Sequence, residues 1–545
     1  MKLNIFKKGV MLLATIAVAG SFTGCTDNFE GINTDPYGIE IGDIPLSTYF
    51  QEAQQSIYYN QSNGNWEYQL IQNLNADLYS GYLAIPTPFN GNNNNSLYYM
   101  VDGWNSWTLN YMLLHVMKPT ENILNSTEAA DYLAIAKVLR VAGMLKATDL
   151  YGPVPYSKAM KGGLAVDYDS QEEIYKAFLS ELETAAAELT TFISNNPGDQ
   201  SGRLGFDLMC GKQHTTWLHY ANTLRMRIAM RMVKVEPALA KQHCEAAYAS
   251  GVLTDADPNI EVKDETMRNP LLVIARDYND CGISANVESI LKGYNDPRLA
   301  KMALPVGWKG DITPNGSTVP AGLTGEIHGI RNGLAFASKG EYTKFSIPAV
   351  ATDGNDPKSS DYPLPIMKHA EAYFLRAEGA LRGWNMGGTA KALYEEGIRV
   401  SFADYGVSAD YANYIMGTTM AADYVDPYDA VNNIAAHNDV DVKYNTADSN
   451  EKNLQRIITQ RWIANFPEGS DGWAMFRRTG YPKLFPNVEN RSGGIIPNGE
   501  FIKRLPFCID EINNNAAGVA SGVAVLGGTD NMNTRLWWDT TDANF

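Results

Sequence analysis

The chain has little of what most enzyme chemistry requires. Its 545 residues include seven histidines, and none of them falls in an HExxH. His214 and His219 are five apart, which does not place two metal ligands on one helical face. No GxSxG, phosphate-cradling GxxxxGK or GxGxxG is present. Nothing localises a cysteine–histidine pair, and among 61 acidic residues coincidental carboxylate pairs are unavoidable, so they do not point to glycoside hydrolysis. Cysteine is scarce as well. Cys25, Cys210, Cys244, Cys281 and Cys508 are far apart with no CxxC. The last four are read as buried free thiols, with one disulfide as the alternative in an exported protein. Charged residues make up 19% and carry a net charge of −17. That balance excludes a nucleic-acid partner, which rewards clustered Lys and Arg.

Long apolar runs are also missing, except at the start. MKLNIFKKGV carries three lysines and no acid, a short apolar run follows from Val10 to Phe22, and Thr23-Gly24 precede Cys25. The run falls short of the roughly 20 residues that cross a bilayer and has the form of an export signal. It resembles a bacterial lipoprotein signal, with Phe22 where Leu is commoner. The resemblance implies cleavage before Cys25 and acylation of that residue. Losing residues 1–24 removes three lysines and no acid, which takes the net charge from −17 to −20. Attachment to a membrane then rests on acyl chains, two or more of which anchor stably. Residues 26–45 are polar and rich in Gly and Pro and read as a tether. Residues 46–545 are expected to form a single soluble body.

Helical periodicity dominates that body. Ser170 and Glu173 make a capping box, after which Ile174, Phe178, Leu182, Ala185, Leu189 and Phe192 mark one face of a helix of about 20 residues. Residues 131–149 form another, whose Ala134, Ala136, Ala142, Gly143 and Ala147 let neighbours approach closely. A third covers 212–234, and Pro237 then suits the first turn of the next. Residues 364–402 read as a helix pair broken at RGWNMGGT, about the length of a tetratricopeptide repeat. Ile366, Ala370, Tyr373, Phe374, Ala377 and Leu381 line the first helix. Spacing between pairs is irregular, which indicates divergent repeats within one body. Long Gly/Pro/Asn-rich stretches at 58–107, 254–363 and 403–450 separate the helices, with short strands expected near 334–337 and 343–347. Loops of that length on a helical scaffold are where binding usually resides.

Five segments carry a family resemblance: FEGINTDP at 29–36; LRVAGMLKATDLYGPVPYSKAM from Leu139 to Met160; LPIMKHAEAYFLRAEGAL from Leu364 to Leu381, with Ala370-Glu371 and Ala377-Glu378; QRWIANFPEGSDGWAMFRRTGYPKL from Gln460 to Leu484; and LWWD at 536–539. In this order they resemble the SusD/RagB family of outer-membrane nutrient-binding lipoproteins of Bacteroidetes. Two departures are Asp471-Gly472, where an acidic residue and Ala are common, and Arg535, where Pro is expected. The resemblance implies a mainly α, SusD-like fold with divergent tetratricopeptide-type helix pairs as scaffold, long loops and a few short strands. It implies a lipid-anchored protein on the outer face of the outer membrane. Such a protein would bind oligosaccharide or polysaccharide without catalysis and deliver it to a SusC-like TonB-dependent transporter. Peptide ligands, as in RagB-like members, are the alternative. A surface glycan-degrading enzyme and a ligand-free scaffold are further readings.

The shared motifs themselves read as structure. Glu371 and Glu378 lie seven apart on one helical face and suit Arg477 or Arg478 as partners. Trp462, Phe466, Trp473 and Phe476 repeat at helical spacing, as core residues do. The acidic loop at 352–361 offers Asp353, Asn355 and Asp356 to calcium but lacks the EF-hand spacing. It reads as a solvated loop, and no cofactor is expected. Ligand-binding residues are sought instead in the aromatic loops. Residues 58–107 hold eleven Tyr, Trp and Phe, with asparagines Asn90 and Asn92 to Asn95 among them. Sugar rings lie on aromatic faces while amide and charged side chains bond their hydroxyls, and rigid aromatics bind at low entropic cost. Trp107, Tyr111, Tyr79 and Tyr82 suit a core. Trp66, Phe89, Tyr278 and Trp308, each flanked by turn residues, are the candidate ligand contacts.

Overall fold

The computed structural model describes residues 44–58, 65–163, 165–264, 267, 269–308, 310, 313, 316–349 and 364–545. Cys25, the FEGINTDP segment and the calcium candidates Asp353, Asn355 and Asp356 lie outside them. The residues from Ser47 onward group as one compact unit. The scaffold helices are α1 (Ala130–Tyr151), α2 (Gln171–Asn195), α3 (His214–Arg231), α4 (Pro237–Ser250), α5 (Ala370–Leu381), α6 (Ala390–Asp404), α7 (Asn450–Asn465) and α8 (Gly469–Thr479). From α1 to α4 each helix packs on the next, α5 pairs with α6, and α7 packs on both. This is the mainly α, helix-pair fold that the sequence implied.

Local chemistry explains these elements. At the start of α2, Ser170 Oγ accepts from the Glu173 N–H at 3.2 Å while the Ser170 N–H donates to Glu173 Oε2 at 3.0 Å. Both orphan donors are thus satisfied. Pro237 stands in the first turn of α4, where its missing N–H costs nothing. Helix α1 is buried on nearly every side, as a helix apolar all round must be. A Cβ on its Gly143 would lie 2.6 Å from Val116 Cγ1, so only glycine allows that approach. The helix stops at Gly152, which has φ +85° and donates its N–H to Thr148 O at 2.7 Å. The four cysteines Cys210, Cys244, Cys281 and Cys508 are free and buried.

Two expectations are corrected. Residues 364–367 form strand rather than the first turn of α5. Pro365 lacks a donor and disfavours helix for Leu364. In the order of the chain the strands are β1 (Leu83–Ala84), β2 (Ile260–Val262), β3 (Gly282–Ile283) and β4 (Leu364–Met367). β1 pairs antiparallel with β3 and β2 with β4. Ile366 therefore belongs to a strand and not to a helix face. Residues 334–337 and 343–347 are not strands. Glu341–Lys344 is a 3₁₀ turn, and Gly333 takes φ +77°. Leu334, Phe336 and Phe345 are buried with Ala84 and Ile330, so their hydrophobicity reflects packing without a ladder partner.

A buried ionic network joins the helices. Arg227 on α3 grips Glu371 on α5 with both ends of its fork, at 2.7 and 2.6 Å. Arg461 on α7 donates to Glu371 at 2.7 Å and to Asp471 on α8 at 2.9 Å. Arg231 bridges Asp471 and Asp149 of α1. Asn465 donates to both Glu371 and Asp471, at 2.9 and 3.0 Å. Burial alone would raise the Asp471 carboxyl, yet Arg461, Arg227 and Arg231 hold it well below the usual carboxylate range. Glu378 has its own clamp. Arg478 reaches it through two bonds of 2.7 Å and Arg382 through two of 2.8 and 3.1 Å. Of the two partners expected for the glutamates, Arg478 serves Glu378. Arg477 serves neither, because Arg227 and Arg461 already occupy Glu371. Trp462, Phe466, Trp473 and Phe476 are buried as expected.

Burial opposes ionisation of Glu378, but Arg478 and Arg382 prevail and hold it at about 2. A carboxylate whose folded pKa lies below its unfolded value stabilises the fold above the unfolded value and loses that contribution as pH falls through the folded one. Glu378→Gln should therefore lower stability at pH 7 by about 3–5 kcal/mol. It should also flatten the acid branch of the urea-unfolding free energy between pH 4.5, the ordinary glutamate value, and about pH 2. An acid branch as steep as that of the wild type would show that Glu378 does not drive it.

Candidate functional site

The exposed aromatics are held out by the geometry of short helices. In Asn65–Tyr68, residues two apart point to opposite sides. Tyr68 turns inward, its hydroxyl donating to Asp77 Oδ2 at 3.1 Å, and Trp66 turns outward with 47% of its surface exposed. The Trp66 ring meets Trp107 edge-on, 4.8 Å between centroids at 85°. Three residues before Trp107, Trp104 is met by Phe89 at 5.9 Å and 90°. Phe89 opens a tight turn in which Asn90 and Asn92 take φ 49° and 67°, a region asparagine tolerates.

Most of the neighbouring asparagines are engaged in holding this turn. Asn92 exchanges two bonds with the Phe336 backbone, at 2.7 and 3.0 Å. Asn94 donates to Phe89 O at 2.8 Å and Asn95 to Asn105 Oδ1 at 3.1 Å, and both are fully buried. The amide groups expected to face a sugar are thus mainly structural, although Asn93 is exposed.

Tyr278 follows a π-helical turn, Leu272–Asp277, and is 43% exposed. Two residues later stands Asp280, which the sequence did not single out. It accepts from Thr87 Oγ1 at 2.7 Å and Gln69 Nε2 at 3.4 Å, and from Lys339 Nζ, which also caps Tyr278 O. One carboxylate therefore ties together the loops of Trp66, Phe89 and Tyr278. Only the charge in RDYND hinted at such a role, since the three donors come from segments far apart in the chain. Trp308 is half-buried in a turn held by the Gly307 N–H on Lys344 O at 3.0 Å. Lys344 lies five residues beyond Lys339, so Trp308 is joined to the cluster through segment 339–344. Tyr79, Tyr82 and Tyr111 are core residues as expected, while Trp107 is half-exposed beneath Trp66.

Burial pushes the neighbouring Cys281 thiol well up, away from the thiolate that a nucleophile needs. Several histidines elsewhere have carboxylate partners, among them His214 on Asp131 at 3.1 Å, His328 on Glu288 at 2.8 Å and His369 on Asp404 at 2.9 Å. Among the described residues no group of three or more His, Cys, Asp and Glu could hold a metal ion.

The family model described as SusD-like, "Susd and RagB outer membrane lipoprotein", matches residues 29–539. A chitin-binding SusD homologue from Flavobacterium johnsoniae is 42% identical over 92% of this chain and 100% of its own, with a TM-score of 0.84. A SusD homologue from Bacteroides vulgatus is 31% identical over 92% and 98%, with a TM-score of 0.82. One from Bacteroides thetaiotaomicron is 29% identical over 92% and 100%, with a TM-score of 0.81. No curated protein matches the chain.

If Asp280 pins the aromatic loops, Asp280→Ala should speed amide hydrogen exchange in residues 86–93 and 277–281. The melting temperature should stay within a few degrees of the wild type, because partly exposed ion pairs contribute about 1 kcal/mol or less. Unchanged exchange in both segments would remove Asp280 from this role.

Proposed function

The chain belongs to the SusD/RagB family of outer-membrane lipoproteins, and on that premise we propose that it captures a glycan on its aromatic loops, without catalysis, and hands it to a SusC-like TonB-dependent transporter. The observation that carries the reading is the cluster of half-exposed rings, Trp66 over Trp107 and Phe89 over Trp104, held beside Tyr278 by Asp280. Rings fixed by buried neighbours offer flat apolar faces that lose little freedom on binding. Trp66 and Tyr278 supply the primary platform, Phe89 supports it and Trp308 extends it along segment 339–344. The 42% identity to a chitin-binding relative makes a chain of N-acetylglucosamine the first ligand to test. Acylation of Cys25, with the tether behind it, would keep the body at the outer face of the membrane and let it move against the barrel.

Purified mature protein should retard in native gels that contain chito-oligosaccharide or a related glycan, with no new reducing ends on prolonged incubation. Released reducing ends would identify an enzyme instead. Binding of peptides in place of every glycan tested would favour the RagB-like alternative. Trp66→Ala and Tyr278→Ala should each weaken glycan binding about tenfold, equivalent to about 1.4 kcal/mol, with unfolding unchanged. Wild-type affinity in both variants would move the site off these loops. In cells, deleting the partner barrel should abolish uptake while the purified protein still binds, and Cys25→Ala should impair uptake but not binding.

A further inference from the structure

A cleft of about 610 Å³ opens between the end of α8 and the C-terminal segment, and none of the candidate aromatic contacts lines it. In a chain of net charge −17 its lining is cationic. Arg477, Lys483, Lys503 and Arg535 face it, with Asp439 as the lone carboxylate. Asp439 is engaged by Lys483 at 2.8 Å and Arg535 by Asp539 at 2.6 Å. The other two cations are poorly neutralised. Lys503 reaches only the exposed Glu500, at 3.4 Å. Burial, followed by repulsion from Arg535, pushes its ammonium down.

Arg477 is buried between the rings of Trp473 and Trp538, at 3.7 and 5.0 Å. Its Nη1 donates to the backbone oxygens of Asp149 and Lys503, at 2.7 and 2.9 Å, and its Nη2 has no hydrogen-bond partner. Burial pushes this guanidinium down to about 10 against the pull of Asp149 and Asp539. A buried donor without an acceptor is costly, and a buried cation without a full counter-charge more so. The second cost falls when an anion enters the adjoining cleft. Phe476 and Phe501 meet edge to face at 4.7 Å on the same cleft, which adds an apolar wall. The volume is within the range of small-ligand pockets and far above that of a bare ion.

We propose that this cleft is a second ligand site, which takes an oxyanion, carboxylate or sulfate, carried on a sugar ring. Lys483 and Lys503 draw the anion in, the Arg535 fork faces its oxygens, the buried Arg477 adds positive charge behind the wall, and the phenylalanine pair takes the ring. Guanidinium forks match planar and tetrahedral oxyanions in a way that lysine alone does not. Arg535 stands where the family resemblance leads one to expect proline, so part of this charge belongs to this chain in particular. The site is independent of the neutral-glycan reading, which rests on other residues.

The test is calorimetric titration of the mature protein, at fixed ionic strength, with a glucuronate-containing disaccharide, N-acetylglucosamine 6-sulfate, N-acetylglucosamine and sodium sulfate. An acidic sugar should bind at least tenfold more tightly than both neutral N-acetylglucosamine and free sulfate. Lys483→Gln combined with Lys503→Gln should weaken that binding at least tenfold, while Lys503→Arg retains it. The double variant should keep its urea midpoint and its affinity for neutral chito-oligosaccharide, which separates this site from the aromatic loops. Equal affinity for acidic and neutral sugars, free sulfate binding as tightly as the acidic sugars, or an acidic-sugar affinity unmoved in the double variant would each overturn the proposal.

Discussion

Inside the protein, three arginines and three carboxylates meet where five helices dock. Asp149, Glu371 and Asp471 are matched by Arg227, Arg231 and Arg461, and the formal charges cancel. An apolar cluster of equal volume could stabilise as well, but it would accept many rotations of each helix. The ionic cluster accepts far fewer. Glu371 is satisfied only when α5 presents it to the Arg227 fork, to Arg461 and to Asn465 together. Asp471 likewise holds α8 to α3 and α7. The helix pairs are thereby fixed relative to one another, and the long loops have a rigid base.

What the sequence revealed of this follows from what periodicity can encode. Helix faces, the capping box before α2 and the proline at the start of α4 are local, and they were legible. So was the structural character of Glu371 and Glu378, whose spacing puts them on one face. Their partners were only half legible. Arg478 lies in a neighbouring motif, but Arg227 is 144 positions from Glu371 on a helix whose own pattern gives no sign of the pairing. The strand at Leu364–Met367 was hidden for a related reason. Its partner, Ile260–Val262, is distant in the chain, and its apolar residues continue the pattern of α5. At 334–347 the error ran the other way, because burial in an apolar cluster imitates the alternation of a strand.

The aromatic face was legible in its residues and not in its assembly. Of the four candidate contacts chosen for their turn neighbours, Trp66 and Tyr278 are exposed, and Phe89 and Trp308 are half-buried. The asparagine-rich turn suggested hydroxyl recognition, yet positive φ angles and buried amides assign Asn92, Asn94 and Asn95 to holding the loop. Side chains that fix a loop also fix its aromatics, so these polar groups set where the rings stand. Asp280 extends the same logic across three segments, and no spacing rule could have found it.

Holding exposed rings in place costs little entropy on contact when their base is rigid, and the root of the aromatic loops is rigid. Tyr82 stacks on Trp462 of α7 at 4.7 Å and donates its hydroxyl to Trp462 O at 2.6 Å, while Trp462 Nε1 donates to Ser80 O at 2.8 Å. A Cβ on Gly472 of α8 would lie 2.7 Å from the Tyr82 ring, and one on Gly469 would lie 2.3 Å from Asp77 Oδ1. Both glycines therefore let residues 76–84 lie directly against the helices that the ionic network fixes. The absence of a side chain at Gly472 has its reason in that contact. An alanine here would have to displace the Tyr82 ring, and with it strand β1 and its pairing with Gly282–Ile283. Asp280, which ties the loops together, lies two residues before β3. The same short stretch of α8 thus supplies the buried carboxylate Asp471 and the bare backbone at Gly469 and Gly472 against which the root of the aromatic loops packs.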